Sequence, residues 1–130
     1  MALPRVLIVD DSIASRESLA VFFELEGYEV RTAQDGVEGV EAVAGFKPDV
    51  VFMDIHMPEL DGHAAAEQIR ASPDGDIPKL IALTGFSGEE VGNRAEQSGF
   101  DLVMCKPVSP DKLRETLAGL FPGNGGSSLS

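Results

Sequence analysis

The chain has 130 residues, enough for about one domain with its own hydrophobic core. Its 22 acidic and 10 basic residues leave a net charge of −12, which argues against direct binding of DNA or RNA. One cysteine excludes an intrachain disulfide, and no apolar run approaches the roughly 20 residues of a membrane span. Because its first residues also lack a signal-peptide pattern, the sequence predicts a cytoplasmic protein without membrane contact.

The first predicted strand, residues 6–9, is a short apolar run that stops at two aspartates, Asp10 and Asp11. Ser12 can cap the helix that follows, because its hydroxyl can accept a free amide hydrogen of the first turn. Gly27 occupies the position at which that helix is expected to end. The chain therefore begins with a strand, an acidic loop and a helix.

The next stretch repeats the order of strand and helix. Residues 28–32 alternate polar and apolar side chains, which is typical of a strand with one face in water. Asp35 and Glu38 are spaced as a capping box for a second helix. Residues 49–54 form a second buried run that ends in a carboxylate, and residues 64–71 predict a short third helix.

The last third of the chain continues the alternation. A third buried run spans residues 80–84, and a weaker helix is predicted over 87–98, where an internal glycine costs about 1 kcal/mol relative to alanine. Residues 101–105 form the last predicted strand. Ser109, followed by a proline, is typical of the start of a final helix. Residues 123–130 are rich in glycine and serine and predict a flexible tail or linker.

Five strands that alternate with five helices favour an α/β fold with a mostly parallel sheet. Four of the strands are nearly continuous apolar runs, as expected when helices cover both faces of a sheet. In such folds, ligands bind beyond the carboxyl ends of the strands, where the winding direction switches. We therefore expect a functional site at that edge of the sheet.

Polar residues stand at four of the five predicted strand ends. Asp10 and Asp11 follow the first strand, Asp54 ends the third, Thr84 ends the fourth, and Lys106 follows the fifth. Because the carboxyl ends of parallel strands share one edge of the sheet, these five side chains are expected to converge. Their convergence depends on the topology, since they are far apart in the sequence.

The residue types at these ends suit phosphoryl chemistry. Close carboxylates repel one another, and oxygen ligands without a cysteine or histidine cluster favour Mg²⁺ or Mn²⁺ over zinc. An aspartate can act as a nucleophile and form an aspartyl phosphate, while a lysine and a hydroxyl neutralise and orient the phosphoryl group. Taken singly, each residue also fits a solvated strand end, a turn or a surface loop, so the prediction depends on their combination.

These strand-end residues lie within the segments 6–12, Met53-Asp54, 82–85 and Lys106-Pro107, and two further segments, Met57-Pro58 and Asp61-Gly62, lie in the loop after the third strand. In combination these segments resemble the response-regulator receiver family. The resemblance implies a flavodoxin-like, doubly wound fold, with a five-stranded parallel sheet in the order 2-1-3-4-5 and five flanking helices. It also implies a receiver domain over residues 4–121, followed by a tail or linker over residues 122–130.

The resemblance further implies a phosphorylation switch. Asp54 would accept the phosphoryl group from a phosphohistidine on a histidine kinase or histidine phosphotransfer protein, and the domain would catalyse its own phosphorylation and dephosphorylation. Thr84 and Lys106 would contact the phosphoryl oxygens, and Lys106-Pro107 would be a cis peptide. The implied Mg²⁺ ligands are Asp11 directly, Asp10 directly or through water, Asp54, and the main-chain carbonyl of His56.

Three positions affect how such a switch would behave. The family usually has an aromatic residue three positions before the lysine, and here that residue is Val103. We therefore expect a weaker or different conformational response on the usual output face. His56 and Phe86 follow the phosphoacceptor and the threonine by two positions each, where the family tunes hydrolysis of the acyl phosphate. We expect Phe86 to shield the phosphoryl group from water.

Other classes of protein contain some of the same site residues. Phosphatases of the haloacid-dehalogenase type also use an aspartate nucleophile, Mg²⁺ and a lysine, but they need a second aspartate where this chain has His56. A degenerate receiver could act as a protein-binding module without phosphorylation. A phosphorelay domain could pass the phosphoryl group to another histidine, as receivers of hybrid histidine kinases do.

Two further polar residues have structural interpretations. His63 is predicted to lie on the surface of the third helix, and Cys105 is predicted to be buried in the last strand rather than to act as a redox centre.

Overall fold

A computed structural model of the protein describes residues 3–57, 60–86 and 88–122. Within these ranges, five strands and five helices alternate along the chain, as the sequence predicts. The strands are β1 (Arg5–Val9), β2 (Glu29–Ala33), β3 (Val50–Asp54), β4 (Lys79–Thr84) and β5 (Leu102–Cys105). The helices are α1 (Ile13–Leu25), α2 (Gly36–Phe46), α3 (Gly62–Ala71), α4 (Glu89–Ser98) and α5 (Pro110–Leu120).

All four strand pairings are parallel, and the sheet has the predicted order β2-β1-β3-β4-β5. The register brings the carboxyl ends of the three central strands to one edge. Val9 lies beside Met53, and Asp54 lies beside Leu83. The direction of winding switches between β1 and β3, so the acidic residues that follow β1 and end β3 meet at the switch point.

Apolar side chains fill both faces of the sheet. Successive residues of a strand point to opposite faces, so Leu7 packs into one cluster and Ile8 into the other. The first cluster lies under α2, α3 and α4, and the second lies under α1 and α5. Each large, fully buried side chain, such as Phe52, contributes about 2 kcal/mol through removal from water. This packing holds the central strand ends in place.

The predicted helix caps are confirmed in α1 and α2. The Ser12 hydroxyl accepts from the amide of the first turn of α1, and Gly27 follows the end of that helix with a φ of 98°. The Asp35 carboxylate accepts the amide hydrogen of Glu38 at 2.8 Å. The Glu38 carboxylate reaches the amide of Gln34, one residue before the position that a capping box predicts.

The prediction that Cys105 is buried in the last strand is wrong. In β5 only Met104 is buried, whereas Leu102, Val103 and Cys105 are exposed. β5 is one of the two edge strands of the sheet, and the helices beside it leave much of its surface uncovered. The Cys105 thiol contacts the main-chain carbonyl of Phe86 at 3.7 Å instead of packing in the core.

Some sequence predictions lie outside the described residues: those for Pro58, for Ser87 and for the tail over residues 123–130. Among the residues that are described, no helix is long and apolar enough to cross a membrane.

Candidate functional site

Three carboxylates meet at the edge of the sheet where the winding switches. One oxygen from each of Asp10, Asp11 and Asp54 lies within 4.8 Å of the others. Asp10 is completely buried and Asp54 nearly so, while Asp11 is exposed. The cluster therefore has a buried side against the strand ends and one side open to solvent.

The chain after β1 holds Asp10 in a single orientation. Its Oδ1 accepts the amide hydrogen of Ser12 at 2.9 Å, so the carboxylate closes a turn before α1 begins. Its main-chain carbonyl accepts a hydrogen bond from the Arg16 guanidinium at 2.8 Å. Sequence reasoning did not single out Arg16, since its only signal is its position in the first turns of a helix that follows an acidic loop.

Asp54 is held in a similar way by the chain that follows β3. Its Oδ1 accepts the amide hydrogen of His56 at 2.9 Å. The first turn of α3 then packs against the end of β3. A Cβ atom at Gly62 would lie 2.7 Å from the main-chain oxygen of Asp54, too close for any side chain. Gly62 therefore allows the close contact between helix and strand, and Asp61 caps that helix.

Lys106 joins the two buried carboxylates. Its Nζ donates to Asp10 Oδ2 at 3.0 Å and to Asp54 Oδ2 at 3.2 Å. Its main-chain amide donates to the carbonyl of Thr84 at 2.7 Å, which fixes the end of β5 against the end of β4. The Lys106-Pro107 peptide is cis, as the sequence resemblance implied.

Burial and the neighbouring charges together raise the pKa of both Asp54 and Lys106. Burial raises the pKa of Asp54, although the His56 amide and the Lys106 ammonium lower it in part and Asp10 raises it. Burial lowers the pKa of Lys106, but the hydrogen bond to Asp10 and the charges of both carboxylates outweigh burial and raise it. The site therefore keeps a positive charge beside carboxylates that are costly to bury.

Thr84 and Phe86 border the site on the β4 side. Thr84 is 1% exposed, and its Oγ1 accepts the amide hydrogen of Phe86 at 3.0 Å. Its own hydroxyl hydrogen can therefore be donated elsewhere. The Phe86 ring is 63% exposed and meets the exposed His56 ring edge-to-face, at 5.3 Å between centroids. The two rings therefore bring together the segments that follow β3 and β4.

The donor atoms at this edge fit a hard divalent cation. The cluster offers carboxylate oxygens from Asp10, Asp11 and Asp54, with no thiolate or imidazole among the grouped ligands. Oxygen donors of this kind suit Mg²⁺, which usually binds through one or two carboxylates and keeps several waters.

The prediction that His63 lies on the helix surface is wrong. His63 is buried, and its Nδ1 lies 2.8 Å from the Ser98 hydroxyl of α4. Because Ser98 donates its only hydroxyl hydrogen to the Arg94 carbonyl, we assign Nδ1–H as the donor in the His63–Ser98 bond. The small residues of α3, such as Ala66 one turn further on, allow α4 to pack closely over the imidazole.

Stability is expected to fall as the pH drops below about 6.5, in part because of His63. Burial and the charge of Arg94 lower its pKa in the folded state, although Asp61 and Glu67 oppose the shift. Because the pKa of His63 is lower in the folded state, the unfolded state binds the proton more tightly. Stability is therefore lost as the pH falls below the pKa of the unfolded state. His63→Gln is expected to flatten the dependence of the urea midpoint on pH between 7 and 5. An unchanged slope would contradict this role for His63.

Together, fold and site define a class of doubly wound α/β domains with a lysine-bridged acidic site at the switch point of the sheet. The sequence profile described as "Response regulator receiver domain" matches residues 6–118. The chain belongs to this family, and it is a receiver domain of the kind found in response regulators of two-component systems.

The sequence of a curated relative supports the assignment to this family. The response regulator MprA of Mycobacterium sp. (strain KMS) is 37% identical over 117 residues, or 90% of this chain and 50% of the relative. The chain thus spans about half the length of the curated relatives it matches.

Solved structures that share the fold include two receivers. The chemotaxis protein CheY4 of Vibrio cholerae has a TM-score of 0.86 at 30% identity, covering 91% of this chain and 98% of that one. The receiver domain of the sensor histidine kinase PA1611 of Pseudomonas aeruginosa PAO1 has a TM-score of 0.83 at 27% identity, covering 91% and 97%. That structure has a magnesium ion coordinated in its active site cleft.

Proposed function

We propose that this receiver domain is a phosphorylation-dependent switch that accepts a phosphoryl group on Asp54 from a phosphohistidine of a histidine kinase or phosphotransfer protein. The observation that carries the proposal is the contact of Lys106 Nζ with both Asp10 and Asp54 beside a third carboxylate. Such a site concentrates negative charge around one positive group, which suits a reaction that transfers a phosphoryl group.

In the proposed reaction, a carboxylate oxygen of Asp54 attacks the phosphorus atom. The new O–P bond forms as the P–N bond to the donor imidazole breaks, and the imidazole leaves with the electron pair of that bond. The His56 amide favours the ionised form of Asp54, which is the nucleophile. Lys106 can exchange a contact with Asp54 for one with a phosphoryl oxygen, because the ammonium carries three donors.

The proposal assigns Mg²⁺ to the acidic cluster. Asp10, Asp11, Asp54 and the main-chain carbonyl of His56 would hold the ion. When bound, Mg²⁺ neutralises charge on the carboxylates and on the transferred phosphoryl oxygens. The ion-bound PA1611 receiver supports this assignment by similarity.

Thr84 is proposed to couple the phosphoryl group to the segment before α4. Its hydroxyl has one hydrogen, and donating it to a phosphoryl oxygen draws Thr84 toward Asp54. The Phe86 amide, which donates to the same hydroxyl oxygen, would move with it. The signal would pass from the site to the start of α4 by this route.

The switch is tested by incubating the chain with acetyl phosphate and measuring its intact mass with Mg²⁺ and with EDTA. We expect the gain of one phosphoryl group with Mg²⁺ only, and its removal by hydroxylamine, which cleaves acyl phosphates. No adduct in a protein shown to be folded, with rapid hydrolysis controlled by quenching at early times, would favour a binding module that works without phosphorylation.

Phe86→Ala is expected to shorten the half-life of the phosphorylated form by about three- to tenfold, because the exposed ring follows Thr84 closely and is proposed to limit the approach of water. The decay is followed by intact mass after removal of acetyl phosphate. Phe86→Leu is the matched control, since it keeps an apolar side chain and should change the half-life less. Equal half-lives for wild type and Phe86→Ala would show that the ring does not shield the phosphoryl group.

The response to phosphorylation is expected to be small around Val103. Val103 lies on the exposed edge strand and pairs with Ala82, so no aromatic ring is available to rotate there. Amide chemical shifts with and without beryllofluoride, a mimic of the phosphoryl group, measure the response. Large changes throughout β5 and α5 would contradict the expectation, and changes limited to residues 84–90 would support it.

A further inference from the structure

A cleft of about 550 Å³ lies beside Thr84, between the segment after β3 and α4, and we call it the α4 cleft. A second cavity of about 320 Å³ adjoins it and shares four lining residues. The volume of the α4 cleft falls in the range of small-ligand sites. The shared lining residues are Ile55, His56, His63 and Arg94.

The shared lining carries positive charge on a strongly acidic chain. Arg94 is exposed and lines both cavities, whereas the net charge of the protein is −12. Among the residues that the structure describes, its guanidinium forms no ion pair. A guanidinium presents paired donors that match the two oxygens of a carboxylate.

The rest of the α4 cleft lining is mixed, with apolar residues, one negative charge and the neutral polar residues Thr84, Asn93 and Gln97. Phe86, Ile55 and Val91 line the α4 cleft, and the Phe86 ring is largely exposed. Glu90 also lines it and would repel a ligand that carries two negative charges. This combination favours a monoanion with an apolar body over inorganic phosphate or a polyanion.

A buried hydrogen bond fixes one wall of the α4 cleft. His63 is held on Ser98 at 2.8 Å, and its ring packs edge-to-face on Phe100 at 6.2 Å between centroids. The imidazole is thus fixed before any ligand arrives. A preformed wall lowers the entropy cost of binding.

We propose that the α4 cleft binds a small aromatic monocarboxylate, with its carboxylate on Arg94 and its ring against Phe86 and Val91. Such a ligand would lie next to Thr84 without entering the acidic cluster. The proposal does not require phosphorylation of Asp54, and it can be tested on the unmodified protein.

The experiment titrates the ¹⁵N-labelled chain with sodium benzoate and follows the amide shifts of α4 and of residues 84–86. We expect saturable shifts, and we expect Arg94→Gln to weaken binding by about tenfold or more. Arg31→Gln is the matched control, because Arg31 lies on β2 at the opposite edge of the sheet. It should bind benzoate as the wild type does.

Two other probes separate the sources of affinity. Benzyl alcohol keeps the ring without the charge, and inorganic phosphate keeps a charge without the ring, so both should bind much more weakly than benzoate. The proposal is overturned if benzoate gives no saturable shift at tens of millimolar, roughly the weakest range expected for a ligand this small. It is also overturned if benzyl alcohol binds equally well, or if Arg94→Gln binds like the wild type.

Discussion

Replacing Asp54 by asparagine is expected to abolish the phosphoryl adduct, to below about 1% of the wild-type level, because an amide oxygen cannot act as the carboxylate nucleophile. The side chain keeps its size, and its oxygen can still accept the His56 amide hydrogen. The loss would therefore report the missing nucleophile rather than a disturbed loop. Intact mass after incubation with acetyl phosphate and Mg²⁺ measures it.

The same substitution is expected to keep or raise the stability of the unphosphorylated protein at neutral pH. Burial raises the pKa of Asp54 above its unfolded value, so its charged form opposes folding above that pKa. The asparagine removes this unfavourable charge. Asp76→Asn, in an exposed loop, is the matched control and should leave phosphorylation unchanged. A full adduct on Asp54→Asn would place the phosphoryl group on another residue.

Lys106→Met is expected to lower both the stability of the protein and its rate of phosphorylation, and these effects are second only to that of Asp54→Asn. It removes the only described positive group that contacts both buried carboxylates, so the repulsion between Asp10 and Asp54 is no longer offset. We expect a loss of about 2 kcal/mol in the free energy of unfolding at pH 7, reduced from the value for a fully buried pair because Lys106 is partly exposed. Phosphorylation by acetyl phosphate is expected to slow about a hundredfold.

Added Mg²⁺ gives a sharper test of the Lys106 prediction. A cation in the acidic cluster replaces part of the missing charge, so Mg²⁺ should stabilise Lys106→Met more than it stabilises the wild type. Urea unfolding with and without Mg²⁺ measures both effects. Lys112→Met on α5, where Lys112 is exposed and no described carboxylate pairs with it, is the control. Equal stability of Lys106→Met and wild type without Mg²⁺ would contradict the balance of charges described here.

The layered α/β fold and the residues at the strand ends could be predicted from the sequence, because the signals for both are local. A capping serine acts on an amide three residues later, as Ser12 does, and a buried strand appears as a continuous apolar run. Parallel pairing then brings the strand ends to one edge. The convergence of Asp10, Asp54 and Lys106 follows from these local signals together with the handedness of the connections.

Predictions about individual side chains failed where neighbouring elements decide burial. Cys105 lies in an apolar run, yet it is exposed because β5 lies at an edge of the sheet. His63 was predicted to lie on the surface, yet α4 covers it and its Nδ1 forms a hydrogen bond with the Ser98 hydroxyl. Ser98 lies 35 positions after His63, so no local sequence pattern predicts this contact.

The sequence by itself determined the order of strands and helices, the capped starts of α1, α2 and α5, and the residues at the strand ends, because periodicity and capping act over a few residues. Only the tertiary structure decided that Lys106 reaches both carboxylates, that Arg16 holds the carbonyl of Asp10, and that a cleft lined by Arg94 opens beside Thr84. These features depend on distances between segments that are remote in the chain. Such distances are fixed only when helices pack on both faces of the sheet.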